Sequence, residues 1–289
     1  MSERRILVAL SDTHCGNQLG LLSPETVLAR EDAEGNVEYW RPNLTRTQRY
    51  LWDLYLSHID NIIELAAGDD IILLHCGDLT QGYKYPSLWV SGRMADQVIM
   101  AEDVMVPWFE SSNPPSVTRL ARGTASHNFE QGSSSELVSH LLQHRYPDRD
   151  ISALYHGLLD VGGVTVDYAH HGPGPGIRDW TKGNQVRYYL KNLIATEWKQ
   201  GRMPARLVLR GHYHTFMPET VYDRLDGQQC RFDMYLLPAY CAMGDHGHRA
   251  TRGAWLQDHG LVAFEIAYGH IVETHDFVSH LDLRTEEAV

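Results

Sequence analysis

Four short apolar runs constrain this chain more than anything else in it, because each stops at a turn that carries carboxylate or imidazole beside glycine. Ile6-Leu7-Val8-Ala9-Leu10 leads to Asp12 and His14, and Ile71-Ile72-Leu73-Leu74 leads to Gly77 and Asp78. Val164-Thr165-Val166 leads to His170 and His171, and Leu207-Val208-Leu209 to Gly211-His212-Tyr213-His214. Unbroken apolar runs of this length read as strands buried in a sheet, the first of them on both faces. Alternate side chains of an extended backbone share a face, so Asp12 with His14, and His212 with His214, are expected to point the same way. Four strand ends carrying oxygen and imidazole donors describe one site.

The segments between them supply helices. Residues 44–67 place Leu51, Leu54, Tyr55, Ile59, Ile62, Ile63 and Leu65 at helical spacing, with Asn43 or Thr45 as cap. A strand, a helix and a second strand in that order imply a right-handed parallel crossover. A helix over 97–109 stops before Asn113-Pro114-Pro115, and a strand over 117–121 runs into Gly123-Thr124-Ala125-Ser126-His127-Asn128. Serines 133–135 cap a helix through His144, Val161-Gly162-Gly163-Val164 reads as a hairpin, and another helix spans about 185–199. Strands over 231–238, 260–266 and 270–274 are expected to pair antiparallel in a second sheet. The expected α/β architecture is two facing sheets with helices outside, in one domain over 1–289 with a C-terminal antiparallel strand region at about 230–280.

Residues 17–43 have no period and carry a turn signal at Glu34-Gly35-Asn36. Long irregular loops inside compact domains are usually functional, so a flap over the site, shaping substrate choice, is expected there.

Composition narrows the partners. Of the 289 residues, 43% are hydrophobic, enough for a sizeable core, and the net charge of −12 disfavours broad nucleic-acid binding. The start, Met1-Ser2-Glu3-Arg4-Arg5 followed by five apolar residues, reads as neither signal peptide nor anchor, and no apolar run is long enough for a bilayer, so a cytoplasmic protein without membrane attachment is expected. Cys15, Cys76, Cys230 and Cys241 have no C-x-x-C spacing, which argues against a zinc knuckle or disulfide framework and for small buried fillers. Many of the 17 histidines fall beside the Asp and Gly positions already named.

Mixed oxygen and imidazole donors suit Mn, Fe, Zn, Co or Ni more than Mg or Ca. One ion takes about four to six ligands, fewer than this set offers, so two ions sharing Asp78 is the economical reading. Such a pair acidifies a bridging water, neutralises phosphate oxygens and aligns attacking and leaving groups, which suits hydrolysis of a phosphate ester.

Asp12-x-His14, Gly77-Asp78, the glycine turn with His127, His170, and Gly211-His212-x-His214 together resemble, in order, the motifs of the calcineurin-like metallophosphoesterase superfamily. The resemblance covers about residues 5–240. It implies a four-layer α/β/β/α sandwich of two mixed sheets and a dinuclear centre, with Mn foremost among the metals and a metal-bridging hydroxide as attacking group. Asp12, His14 and His214 with bridging Asp78 would hold one ion, and His170 and His212 with Asp78 the other. The third motif departs from the usual Gly-Asn-His-Asp or Gly-Asn-His-Glu, and its Gly-Thr-x-x-His form resembles divergent members from phage and prophage settings. Either His127 replaces the missing Asn on the metal, the preferred reading and one that sets it near the second ion, or Asn128 does so while His127 keeps the catalytic role. His170 rather than His171 is taken as the ligand, leaving His171 and Arg178 for substrate. A surface ion pair is the competing account of Arg178. Against hydrolysis of a small phosphate ester stand a nuclease-like phosphodiesterase acting on DNA or RNA and a non-catalytic binding module on the same fold.

Overall fold

In the computed structural model, which describes residues 4–129, 133–176, 178, 181–250 and 255–284, the chain begins with β1 (Arg5–Leu10). A small hairpin of β2 (Leu28–Glu31) and β3 (Val37–Trp40) precedes α1 (Arg46–Ala66). Then come β4 (Asp70–His75), α2 (Met94–Phe109), β5 (Val117–Ala121), α3 (Ser134–Arg145) and β6 (Asp150–Leu154). The second half holds β7 (His156–Val161), β8 (Val164–Ala169), α4 (Asn184–Lys199), β9 (Leu207–Arg210), β10 (Met217–Leu225), β11 (Gln228–Leu236), α5 (Asp245–Ala250), β12 (Leu256–Ala267) and β13 (His270–Asp282). The chain is a mixed α/β protein.

Local chemistry accounts for the element ends. Thr45 and Gln48 form a reciprocal capping box at the start of α1, and the helix stops where Ala67 turns left-handed before Gly68. Ser133 caps α3 through the Glu136 N–H. Gly162 and Gly163, both with positive φ, close the β7–β8 hairpin in two residues.

One sheet runs β13-β12-β1-β4-β5-β6 and the other β10-β11-β9-β8-β7. β1, β4, β5 and β6 are mutually parallel, as are β8, β9 and β11. The expectation for the last two strands needs correcting. They pair antiparallel with each other, but β12 joins β1, so both belong to the first sheet. Composition gives the reason. β12 is apolar on both faces, with Leu261 and Ala263 on one and Val262, Phe264 and Ile266 on the other, and a place beside β1 covers both.

Alternation sorts the core. Ile6, Val8 and Leu10 of β1 and Ile71 and Leu73 of β4 pack with α1, α2 and α3, while Leu7, Ala9, Ile72 and Leu74 pack against Val166, Tyr168, Leu207 and Leu209 of the other sheet. A third cluster joins Val186, Leu190 and Ile194 of α4 to Val208, Phe232, Met234 and Leu236. The β2–β3 segment leans on α2: Leu28 enters the helix-side core, Thr26 donates to Asp103, and Arg93 donates to the Ala29 carbonyl. Among the described residues no helix is long and apolar enough to cross a membrane.

Candidate metal centre

The strand ends meet. Asp12 and His14 follow β1, Asp78 follows β4, Thr124 and His127 follow β5, His170 follows β8, and His212 and His214 follow β9. All of these lie beyond the C-terminal ends of parallel strands, where open α/β sheets present their ligand sites.

The way they converge differs from the extended geometry expected of them. Asp12, His14, Asp78, His212 and His214 all have positive φ, between 44° and 80°. Non-glycine residues seldom adopt this left-handed conformation, which costs of order 1–3 kcal/mol each and persists where surrounding structure enforces it. The side chains are therefore aimed by tight left-handed turns, not by strand alternation.

Two groups of donors share Asp78, one with His14 and His127 and one with Asp12 and His170. Asp12, His14 and His214 form a third set and His170, His171 and His212 a fourth. The His14 and His214 Nε2 atoms stand 3.2 Å apart, with Asp12 Oδ1 3.3 Å from His214 Nε2 and 3.7 Å from His14 Nε2. On the other side His170 Nε2 lies 3.0 Å from Asp78 Oδ2 and 3.2 Å from His212 Nδ1.

Neighbouring groups hold the donors in place. Ser11 Oγ donates to Asp12 Oδ2 at 2.5 Å, and the His212 backbone N–H donates to the same oxygen at 2.9 Å. The Thr124 N–H donates to Asp78 Oδ1 at 2.6 Å. The His170 Nδ1–H donates to the Cys76 carbonyl at 2.9 Å, leaving Nε2 facing Asp78. Glycines make room: a Cβ on Gly123 would collide with Asp78, one on Gly211 with Ser11 Oγ, and one on Gly77 would lie 2.6 Å from His170 Nδ1.

Burial alone would raise both carboxyls, yet the imidazoles outweigh it. His214 and His170 hold Asp12, and His170, His127 and His14 hold Asp78, well below the usual carboxylate range. Burial would lower His170, but Asp78 and Asp12 push it up to about 9, and Asp12 likewise raises His214 against its burial. Burial takes His14 down to about 4, and burial with the His170 charge lowers His212 and His171. The paired carboxylates thus favour positive charge on the rings beside them, His170 above all, and a cation can take the place of that charge.

The residues fit metal ions. Asp12 Oδ1 is fully buried and faces only the His214 and His14 rings, at 3.3 and 3.7 Å with no well-formed hydrogen bond, and a buried carboxylate oxygen so poorly satisfied costs free energy that a cation would recover. The donors are oxygen and nitrogen, as first-row transition metals prefer. The thiols of Cys15 and Cys76 are buried and pushed up to about 12, which keeps them neutral fillers. Another trio, Glu265, Glu273 and His275, is tied up by charge pairing, Glu265 with Arg4 at 2.6 Å and with His275 at 2.7 Å.

Of the residues singled out in the sequence, Asp12, His14, Asp78, His127, His170, His171, His212 and His214 come together. His170 is buried and His171 is exposed, its ring 4.8 Å from those of both His170 and His212. His127 falls on the His14 side, their ring centroids 4.6 Å apart and its Nε2 3.9 Å from Asp78 Oδ2, not beside His170 and His212 as expected. The single 3-10 turn over Ala125–His127 swings it there. Asn128 is buried and turned inward, its amide donating to the Thr124 carbonyl and its oxygen facing Ser134 and Ser135. Arg178 is exposed, its carbonyl accepting from Thr181. Thr124 and Ser11 were not singled out. A hydroxyl carries no spacing signature, and only the neighbouring Gly123 and Asp12 mark their positions.

Fold and site together define a mixed α/β protein with clustered His and Asp side chains able to hold metal. No protein-family model and no curated protein matches the chain. Among solved structures, the sulfate thiohydrolase SoxB of Thermus thermophilus in complex with glycerol aligns at TM-score 0.40 and 12% identity, covering 98% of this chain and 57% of that one. The chain thus spans little more than half of SoxB. A Thermotoga maritima protein solved by NMR, TM1076, aligns at 0.33 and 13% identity over 96% of this chain and 99% of its own. A protein of unknown function from Aquifex aeolicus, AQ665, aligns at 0.31 and 13% identity over 73% and 80%. These scores lie below 0.5, and the functional reading rests on the side chains.

Proposed function

We propose that the chain is a dinuclear metal-dependent phosphoesterase of the calcineurin-like type, one domain over 1–289 with its layers in the order α/β/β/α. The observation that carries this reading is buried Asp78, which belongs to donor groups on both sides of the cluster. Three separate apolar clusters, one between the sheets and one under each set of helices, support the layer order. Asp12, His14 and His214 with Asp78 would hold one ion, and His170 and His212 with Asp78 the other, Mn being preferred over Fe, Zn, Ni or Co. Two ions there would supply an acidified water and neutralise phosphate oxygens.

The protein groups do the rest. The Ser11, Thr124 and His212 hydrogen bonds keep Asp12 and Asp78 oriented. His127 donates Nδ1–H to the Gln81 carbonyl at 2.5 Å, which leaves Nε2 facing the cluster. In a doubly protonated His127 the Nε2–H would face the leaving group, so that as the water oxygen bonds to phosphorus and the ester P–O bond breaks, that proton would pass to the departing alkoxide and leave the ring neutral. Exposed His171, its ring 4.8 Å from that of His212, would contact the phosphate, with Arg178 on the loop that follows it. The net charge of −12 favours a small phosphate ester over DNA or RNA.

Purified protein loaded with Mn would be assayed on an aryl phosphodiester and an aryl monoester. Turnover of either supports the proposal, and none from a chain that binds two ions would favour a non-catalytic binding module.

A further inference from the structure

Thr124 Oγ1 lies 3.3 Å from Asp78 Oδ2, 3.3 Å from His170 Nε2 and 3.3 Å from His212 Nδ1. A hydroxyl has one proton and two lone pairs, and its good hydrogen bonds are about 2.7–2.8 Å long. Three equal, long separations to three potential ligands are a poor hydrogen-bonding arrangement. They are a good coordination arrangement. With His170 Nε2 at 3.0 Å from Asp78 Oδ2 and 3.2 Å from His212 Nδ1, five separations among these four atoms lie between 3.0 and 3.3 Å. Donors at about 2.0–2.1 Å from a common ion stand about 3 Å apart where they are neighbours in its coordination shell.

We infer that Thr124 Oγ1 is a metal ligand, completing a four-donor site with Asp78, His170 and His212 for a first-row divalent cation. This inference rests on the proposed dinuclear centre and assigns the second ion a neutral hydroxyl. The backbone secures the position: the Thr124 N–H is bound to Asp78 Oδ1, and Gly123, which has no room for a Cβ, brings the turn against Asp78. The two sites are then unequal. The one around Asp12, His14 and His214 has a second carboxylate, whereas the Thr124 site has only Asp78 for anionic charge, so its ion exchanges more readily.

The test uses the full chain, stripped with chelator and titrated with Co(II), reading ions per chain by calorimetry and the visible ligand-field bands. Thr124→Val keeps a branched side chain and the N–H bond to Asp78 but removes the oxygen, and Thr124→Ser keeps the oxygen. The unaltered protein and Thr124→Ser are expected to bind two ions, and Thr124→Val to bind the second more than about 100-fold more weakly, beyond the loss a merely supporting residue gives, with its spectral contribution lost. Two ions bound unchanged by Thr124→Val would overturn the role of Thr124 and leave the dinuclear centre standing. No ion bound by the unaltered protein would overturn the dinuclear centre itself.

Discussion

His170 Nε2 stands 3.0 Å from Asp78 Oδ2 and joins the end of β8 to the end of β4, strands of different sheets. The contact is close because Gly77 has no side chain to hold the imidazole away. It makes the cluster a property of the interface between the sheets, and the predictions below follow from that placement.

Asp78→Asn keeps the shape of the side chain and removes its charge from both donor groups. Phosphoesterase turnover should fall by more than about 100-fold, beyond the roughly 10–100-fold typical of residues that only support a ligand. Circular dichroism should show an unchanged fold, and retained turnover would refute the shared role of Asp78.

Gly123→Ala should distort the centre from outside it. The added methyl meets the Asp78 side chain and backbone, which cannot both yield, so a loss of about 1–3 kcal/mol is expected in urea unfolding. Metal affinity should fall in parallel.

Metal binding should release protons. At pH 7 His170, raised to about 9 by Asp78 and Asp12 against its burial, holds a proton in the metal-free protein, and Asp12 shifts His214 in the same direction. Ligation requires the neutral rings, so affinity should climb with pH until about 9. Calorimetry in buffers of different ionisation enthalpy counts the protons. Metal at 100 times its dissociation constant should stabilise the fold by about 2.7 kcal/mol, and excess chelator should remove that gain.

Acid should weaken the metal-free fold through His58 and His75. Each is buried and lowered to about 4, His75 bonded to Thr13 Oγ1 and His58 to the Tyr240 hydroxyl. Their native values lie below the unfolded value of about 6.5, so between 6.5 and 4 the unfolded chain binds protons that the native chain does not. Their stabilisation is complete above pH 6.5 and lost as pH falls to 4, by up to about 3 kcal/mol each. His58→Gln should flatten the stability profile across this window in urea titrations.

Arg210→Met should expose the cost of a broken buried pair. The guanidinium is fully buried against Asp167 at 2.6 Å, directly before the Gly211-His212 turn. Leaving Asp167 with only His156 should cost about 3 kcal/mol, and thermal unfolding would measure it.

Much of this was legible in residue order. The runs ending at Asp12, Asp78, His170 and His212 are strands, the caps at Thr45 and Ser133 start helices, and Gly162-Gly163 closes a hairpin, because burial pattern and cap chemistry act within a few residues. The kinds of donor atom, and the glycines that mark close approach, were equally plain. The segment over 179–180 lies outside the described residues.

Other features depended on groups far apart in the chain. Only packing decided that β12 and β13 extend the first sheet, since a strand apolar on both faces gives no direction in which to find its neighbour. Only packing placed His127 beside His14, 113 residues away, by turning one 3-10 loop. The left-handed turns at Asp12, Asp78 and His212 are conformations that Asp and His tolerate better than most residues but that few adopt unaided, and the joined sheets enforce them. The amino-acid order thus determined which atoms were available for a metal. The tertiary structure decided that Thr124 stands beside Asp78, His170 and His212, because only a packed core brings a hydroxyl to 3.3 Å from three groups so far apart in the chain.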